Sequence, residues 1–438
     1  MGSEGQPTGP AYLGLVGLGA LLGIPAALVA ALFLGAVHDL QHWLWTDLPS
    51  DLGHSSPPAY LVILLPAVGA VVCLAARKLL PGDGGNPPIE GIGSAPLPIR
   101  AAAGIAVAAL GTLAFGAVLG PEAPLIALGG ITGLAVTYFF KKVPEQAKPV
   151  VSTAGSFSAI SSLFGGPIVG GMMMVEGGLG LGARILPVLL PGFVAAAVGY
   201  VLFIGFGNWG GLGSESLAYP TLPPYHGTHL YDLLIAIVVG IAAASVISAV
   251  RHGAEQLMIR GPKRIGVPSL LIGGGLAVGL IAQTAGWLGA NSQDVLFSGQ
   301  AGVPDLEGSA TTKIVLILLV AKGLGYAISL GCGFRGGPIF PAIFLGIAVA
   351  TFPVVWFGTS TTVAVATGSA AGIAAGTRLL FTPVLFGALL VGTNGLDAVP
   401  AAVLAASAAW LTMQFIGLRR DARPESPAEE AVESAQSR

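Results

Sequence analysis

The sequence predicts an all-α, polytopic membrane protein made of two similar halves, and three observations predict it. Hydrophobic residues fill 54% of the 438 positions and charged residues only 9%, against about 25% charged in ordinary soluble domains. Apolar runs recur at 11–37, 59–76, 101–119, 123–140, 181–205, 231–250, 266–290, 314–334 and 338–357, and with interruptions at 379–417. Crossing a bilayer takes about 20 such residues as a helix. Two proline-bearing motifs each occur twice, at almost the same spacing.

One apolar run alone could be a signal peptide, but a series of them makes a multi-pass protein. The first run has no basic region before it, so it reads as retained. The 67 glycines and 32 prolines are spread through the runs. Small residues let membrane helices approach closely, and helix breaks within a bilayer are tolerated where protein or a watery cavity satisfies the freed backbone. The expected organisation is an N-terminal segment 1–10, a transmembrane domain 11–417 with halves at roughly 11–205 and 231–417, and a polar, disordered tail 418–438.

Several function classes are excluded. Cys73 and Cys332 both lie in apolar segments, so neither a disulfide framework nor a metal cluster is implied, and no cofactor is expected. A net charge of -2 argues against nucleic-acid binding. "HDLQH" (38–42) is a near miss to the zinc-protease H-E-x-x-H. It lies beside Trp43 and Trp45, and reads as a helix end anchored at the membrane interface. All six histidines fall in loops or near run ends, so no catalytic residue is assigned. "MMM" (172–174) reads as core packing.

Lys and Arg concentrate in cytoplasmic loops. Basic clusters occur at Arg77 and Lys78, at Lys141, Lys142 and Lys148, across 251–264, and at Arg419 and Arg420, whereas 38–58 and 206–230 have no Lys or Arg. The basic loops and the C-terminus are therefore expected inside, and the two bare stretches outside, in a multi-pass protein of the cell membrane.

"GPEAPLIALG" (120–129) and "GPIFPAIFLG" (337–346) share G-P-x-x-P-x-I-x-L-G, with Gly120 and Gly337 217 positions apart. "FGGPIVGG" and "LFTPVLFG" place Pro167 and Pro383 216 positions apart. Duplicated membrane halves, often inverted, hold substrate between discontinuous helices near the bilayer midplane. Each G-P-x-x-P copy reads as a helix start, because proline suits the first turn, where its missing N–H removes no helical bond. The free amides that follow, with the positive end of the helix dipole, make an anion site. Two such ends facing one pore would stabilise an anion without a fixed charge that binds too tightly for release. Glu122 has no acidic counterpart in the second copy, which carries Ile339. An ionisable group at membrane depth points to function. Its oxygens can take the anion's place and protonation would withdraw them, so Glu122 reads as a gate and proton carrier.

At these residues the chain resembles the CLC family of voltage-gated chloride channels and chloride/proton exchangers. "GPEAP" (Gly120, Pro121, Glu122, Ala123, Pro124) is similar to the family's G-[KR]-E-G-P. "GPIFP" (Gly337, Pro338, Ile339, Phe340, Pro341) is similar to G-x-F-x-P. "DGGNP" (83–87) is loosely similar to G-S-G-I-P, and the "PIEG" that follows resembles E-I-E-G. "FGGPIVGGMMMVEGG" (164–178) resembles the family segment that ends in paired glutamates. The resemblance spans about residues 11–417. It implies a homodimer with one pore per subunit and an inverted repeat with broken and tilted helices. No cytoplasmic CBS domain is expected.

Carried over position by position, the resemblance implies that Glu122 is the gating glutamate. Anion contacts would come from Gly84, Gly85, Glu122 and the amides of Ala123, Ile339 and Phe340. Gly84 stands where the family commonly has a serine, so Gly84→Ser is expected to tighten binding. Pro121 and Pro338 each remove a backbone donor. No late tyrosine matches the family's pore tyrosine, since Tyr326 lies ahead of the second motif. Glu176 fits the first of the paired glutamates, a second candidate for proton handling, and Gly177 replaces the second. Arg335 and Arg378 each precede a helix start, and either raise the local potential for anions or cap a helix C-terminus. The reading is transport of chloride or a similar monovalent anion, channel-like or loosely coupled to protons. The alternatives are a chloride/proton antiporter and a secondary transporter of another anion on an inverted-repeat fold.

Overall fold

The computed structural model describes residues 9–91, 96–139, 143–178, 186–210, 219, 222–308 and 311–421. Most of the N-terminal segment, Lys141, Lys142, part of the bare stretch 206–230 and nearly all of the polar tail lie outside the described residues. The first half contains helices α1 (Pro10–His42), α2 (Ala59–Leu79), α3 (Ala102–Leu113), α4 (Glu122–Phe139), α5 (Lys148–Leu163), α6 (Pro167–Gly177) and α7 (Leu186–Gly210). The second contains α8 (Leu230–Ile265), α9 (Val267–Trp287), α10 (Thr312–Gly331), α11 (Ile339–Phe357), α12 (Thr361–Thr377), α13 (Phe381–Val391) and α14 (Val399–Asp421). Among the described residues, eight helices are long and apolar enough to cross a membrane. Helices α6 and α13, with 11 residues each, rise about 16 Å at 1.5 Å per residue, roughly half the hydrocarbon core.

The packing repeats itself. Helix α4 packs on α5 as α11 packs on α12, and α5 packs on α7 as α12 packs on α14. The pairs α1/α7 and α2/α3 have the counterparts α8/α14 and α9/α10. Across the halves, α2 packs on α9 and α6 on α13, each helix against its own image, as elements on a two-fold axis must. The axis can be followed atom by atom. Gly120 N–H donates to Gly337 O at 2.7 Å and Gly337 N–H donates back to Gly120 O at 2.5 Å, an isolated antiparallel bridge. The Val118 amide donates to Ser329 Oγ at 2.9 Å and the Arg335 amide to Thr112 Oγ1 at 3.1 Å. Residues 118 and 335, like 112 and 329, are 217 apart, so this is one bond made twice. Gly116 and Gly333, again 217 apart, both turn through positive φ (96° and 100°), which glycine alone adopts without steric cost.

The apolar runs 101–119 and 314–334 are not single spans. Helix α3 stops at Leu113 and α10 at Gly331, and the residues that follow leave the helical path to form the bridge. Helices α5 and α12 lie outside every predicted run. Residues 154–163 of α5 and 362–376 of α12 are all buried, so these helices face protein on every side and need no greasy lipid-facing surface. Their hydroxyls turn back onto carbonyls, as Ser161 does on Phe157 O (2.6 Å) and Thr367 on Val363 O (2.7 Å). Close approach rests on glycine: a Cβ on Gly155 would strike the Gly129 backbone, and one on Gly346 the Gly368 backbone.

Three local expectations change. Trp45 is buried, its indole N–H donating to Ala114 O at 3.0 Å; only Trp43 is exposed at the surface. The basic cluster 251–264 is the last part of the 36-residue α8 rather than a loop. At about 54 Å, α8 outruns the bilayer core. Met173 and Met174 are packed in the core as expected, and Met174 also borders the cavity described below.

Candidate anion pathway

Both G-P-x-x-P copies become helix starts. Helix α4 begins at Glu122, with the Pro121 carbonyl accepting from Leu125 N–H (3.0 Å), and α11 begins at Ile339 after Pro338. The glycine bridge holds these two N-termini together. Glu122 is fully buried between them, and its Oε1 accepts from the Phe340 amide at 2.8 Å. Among the described residues its Oε2 has no hydrogen-bond partner. Gly120 and Gly337 make the space: a Cβ on either would fall within the Glu122 carboxyl. A carboxylate therefore occupies the position where the start of α11 presents a free amide, an arrangement suited to an anion. Pro341 and Ile339 are buried beside it. The Phe340 ring stacks on Phe164 (5.7 Å between centroids) and meets Phe386 edge-on (6.2 Å).

A cavity of about 40 Å³ opens next to this point, lined by Gly84, Gly85, Ala123, Pro124, Ser156 and Arg335 among others. That is room for more than one water, each needing about 10–15 Å³. The structure thus places Gly84, Gly85 and Ala123 on one wall system, and Glu122, Ile339 and Phe340 at the adjoining bridge. Residues 82–85 all have positive φ, Asp83 among them at 46°. Two arginines hold this loop. Arg77 Nε donates to Asp83 Oδ1 at 2.9 Å, while Arg335 donates from Nη2 to Oδ2 at 2.6 Å and from Nε to Asp83 O at 2.9 Å. Burial opposes ionisation of Asp83, but the Arg77 and Arg335 hydrogen bonds and charges outweigh it and hold the carboxyl below its ordinary value.

Gly84 does not accept the serine expected to improve binding. Its φ is 71°, and a Cβ would stand 2.8 Å from Ala108 Cβ, 3.1 Å from Arg335 Cγ and 3.2 Å from Arg77 Cγ. The arginine side chains fill the space a hydroxyl would need.

Glu176, the second candidate for proton handling, is held at a helix start. Its Oε1 accepts from the amides of Leu380 and Phe381 (2.9 and 2.8 Å), and its Oε2 from the Thr382 amide (2.7 Å) and hydroxyl (2.5 Å). The acid at the end of α6 caps the start of α13, where the dipole favours it. Beside it, a Cβ on Gly177 would meet nothing within 4 Å. Arg378 is the left-handed C-cap of α12, and its carbonyl accepts from Trp410 Nε1 at 3.0 Å.

Two buried groups escaped sequence reasoning. The Tyr326 hydroxyl donates to Pro338 O at 2.6 Å, so a tyrosine ahead of the second motif steadies that motif's start. Lys322, one turn before it and fully buried, donates to Asp294 O and Leu296 O (2.7 and 2.8 Å) and sits 4.6 Å from the Phe344 ring centre. A tyrosine and a lysine at i and i+4 in an otherwise apolar run were the available signal. Among the described residues no group of three or more His, Cys, Asp or Glu could hold a metal ion.

Two halves crossing at their own bridge, with an acid between facing helix starts, define an inverted-repeat membrane protein of the kind that moves ions. Residues 68–413 match the Voltage gated chloride channel family, and the chain belongs to that family. It is 28% identical over 342 residues to the putative ion-transport protein YfeO of Escherichia coli (strain SMS-3-5 / SECEC), covering 75% of this chain and 76% of that protein. It is 27% identical over 351 residues to YfeO of Salmonella choleraesuis (strain SC-B67), covering 75% and 77%. Its fold is similar to a slow cyanobacterial Cl-/H+ antiporter (TM-score 0.73, 18% identity, 92% of this chain and 95% of that one). It is also similar to a CLC-type fluoride/proton antiporter (TM-score 0.69, 19% identity, 94% and 98%).

Proposed function

We propose that the protein exchanges chloride or a similar small monovalent anion for protons, with Glu122 as both gate and proton carrier. The observation that carries this reading is the fully buried Glu122 carboxyl, held at the start of α11 by the Phe340 amide and with one oxygen unpartnered. While it sits there, an anion has no access to the same amide. Protonation removes the charge that competes with the anion, and the unpartnered oxygen is where a proton would be received. That the two similar folds above belong to proton antiporters supports the coupled reading over the channel-like one.

The inner proton relay differs from a paired-glutamate arrangement. Glu176 is fully engaged by α13, and position 177 carries no acid. Protons then reach Glu122 by way of the cavity at Ala123 rather than through Glu176. These same two observations favour the second reading, passive conduction of the anion.

The deciding experiment is the reversal potential of the reconstituted protein under separate anion and pH gradients. Exchange predicts a potential that shifts with the pH gradient. A potential set by the anion gradient alone leaves conduction as the function.

A further inference from the structure

The two halves differ at the positions that carry chemistry. Position 122 is glutamate and its image 339 is isoleucine, while position 118 is valine and its image, 217 residues on, is Arg335. The backbone of 335 still makes the bond its image makes, to Thr112 Oγ1, so the repeat tolerates an apolar residue here. Yet the side chain carries a guanidinium and is 4% exposed, and Arg335 is one of the residues lining the cavity beside Ala123.

The charge at this wall does not cancel. Arg77 and Arg335 share one carboxylate, Asp83, which leaves one net positive charge. Of the five N–H groups a guanidinium carries, Asp83 takes two from Arg335, so its donor capacity is not exhausted by that carboxylate. The facing wall offers little to an anion. Ser152 and Ser156 donate their hydroxyl protons to Gly130 O (3.1 Å) and Ile126 O (2.8 Å), so those protons are already engaged. Pro121 and Pro338 have no amide proton, and Gly84 has no hydroxyl.

We propose that Arg335 is the donor that binds the transported small monovalent anion in this cavity, with Asp83 as a resident carboxylate that keeps the guanidinium from trapping it. The proposal rests on the anion-transport reading above. It makes binding in this protein charge-assisted, which is roughly twice as strong per bond as neutral donation.

The test is calorimetric titration of chloride and of nitrate into the full-length protein in detergent, with anion flux measured in vesicles. Arg335→Gln should weaken binding of both anions about tenfold or more. Arg335→Lys, which keeps the charge and loses the fork, should fall between. Asp83→Asn should tighten binding and slow flux. Wild-type affinity in Arg335→Gln, or in Arg335→Lys should the glutamine variant fail to fold, overturns the proposal. So does weaker binding in Asp83→Asn, which would make the pair a structural strut. Wild-type protein that neither binds nor moves either anion overturns the transport reading itself.

Discussion

The Phe340 amide, on the second half of the chain, donates to Oε1 of Glu122 on the first across 2.8 Å. One half's acid thus fills the site built by the other half's helix start. Glu122→Gln removes the charge and the titration while keeping the volume. Proton movement coupled to anion flux should be abolished, and the remaining anion flux should lose its pH response. Both are read in vesicles with a pH-sensitive dye and an anion electrode. Flux that keeps its pH response would place the gate elsewhere.

Glu176→Gln should act on stability instead. The carboxylate accepts three amides and a hydroxyl at the start of α13, and losing a helix cap costs about 0.5–2 kcal/mol. The melting midpoint in detergent should fall, while the number of protons moved per anion stays unchanged. Altered coupling at unchanged stability would restore Glu176 to the proton path.

Gly84→Ser should destabilise rather than tighten anion binding. A side chain at φ 71° costs about 1–2 kcal/mol, before its Cβ meets Ala108 at 2.8 Å. Thermal melts and chloride titration of the variant check both halves of the statement.

Thr112→Val and Ser329→Ala should cost similar amounts, about 1–3 kcal/mol each for an orphaned buried amide, because the bonds to Arg335 and Val118 are images of each other. Denaturant titration of the two single variants gives the comparison. Very unequal losses would mean that the two sides of the axis are not equivalent.

The Asp83 clamp gives a pH dependence of stability. Its carboxyl titrates below the ordinary value when folded, so its contribution is complete above the unfolded value of about 3.9 and is lost as pH falls through the folded one. The melting midpoint of wild type should exceed that of Asp83→Asn at neutral pH, and the gap should close under strong acid. The effect is modest, since 62% of the carboxylate side chain is exposed and solvent screens such pairs.

Much of this architecture is legible in the residues. The G-P-x-x-P spacing marks both helix starts because proline leaves a strong local signature, and a lone acid amid apolar residues marks Glu122. Helices α5 and α12 are not legible in the same way. Hydropathy reports contact with lipid, and most of their serines, threonines and glycines are buried in protein. The part Tyr326 and Arg335 play depends on which backbone lies opposite, at Pro338 and Asp83, and no spacing along one helix encodes that. Position 84 misleads for a related reason. The motif points to a missing hydroxyl, but the space is already taken by two arginines from elsewhere in the chain.

The reciprocal Gly120–Gly337 bridge also limits how the protein can work. A transporter whose repeats rock against each other must open a seam between them, and here the seam is stitched by paired main-chain bonds. Under the proposed exchange, alternate exposure of the pathway then falls to the swing of the Glu122 side chain, a turnstile rather than a hinged door. Each turnover in that scheme moves little mass and leaves the two bundles in place.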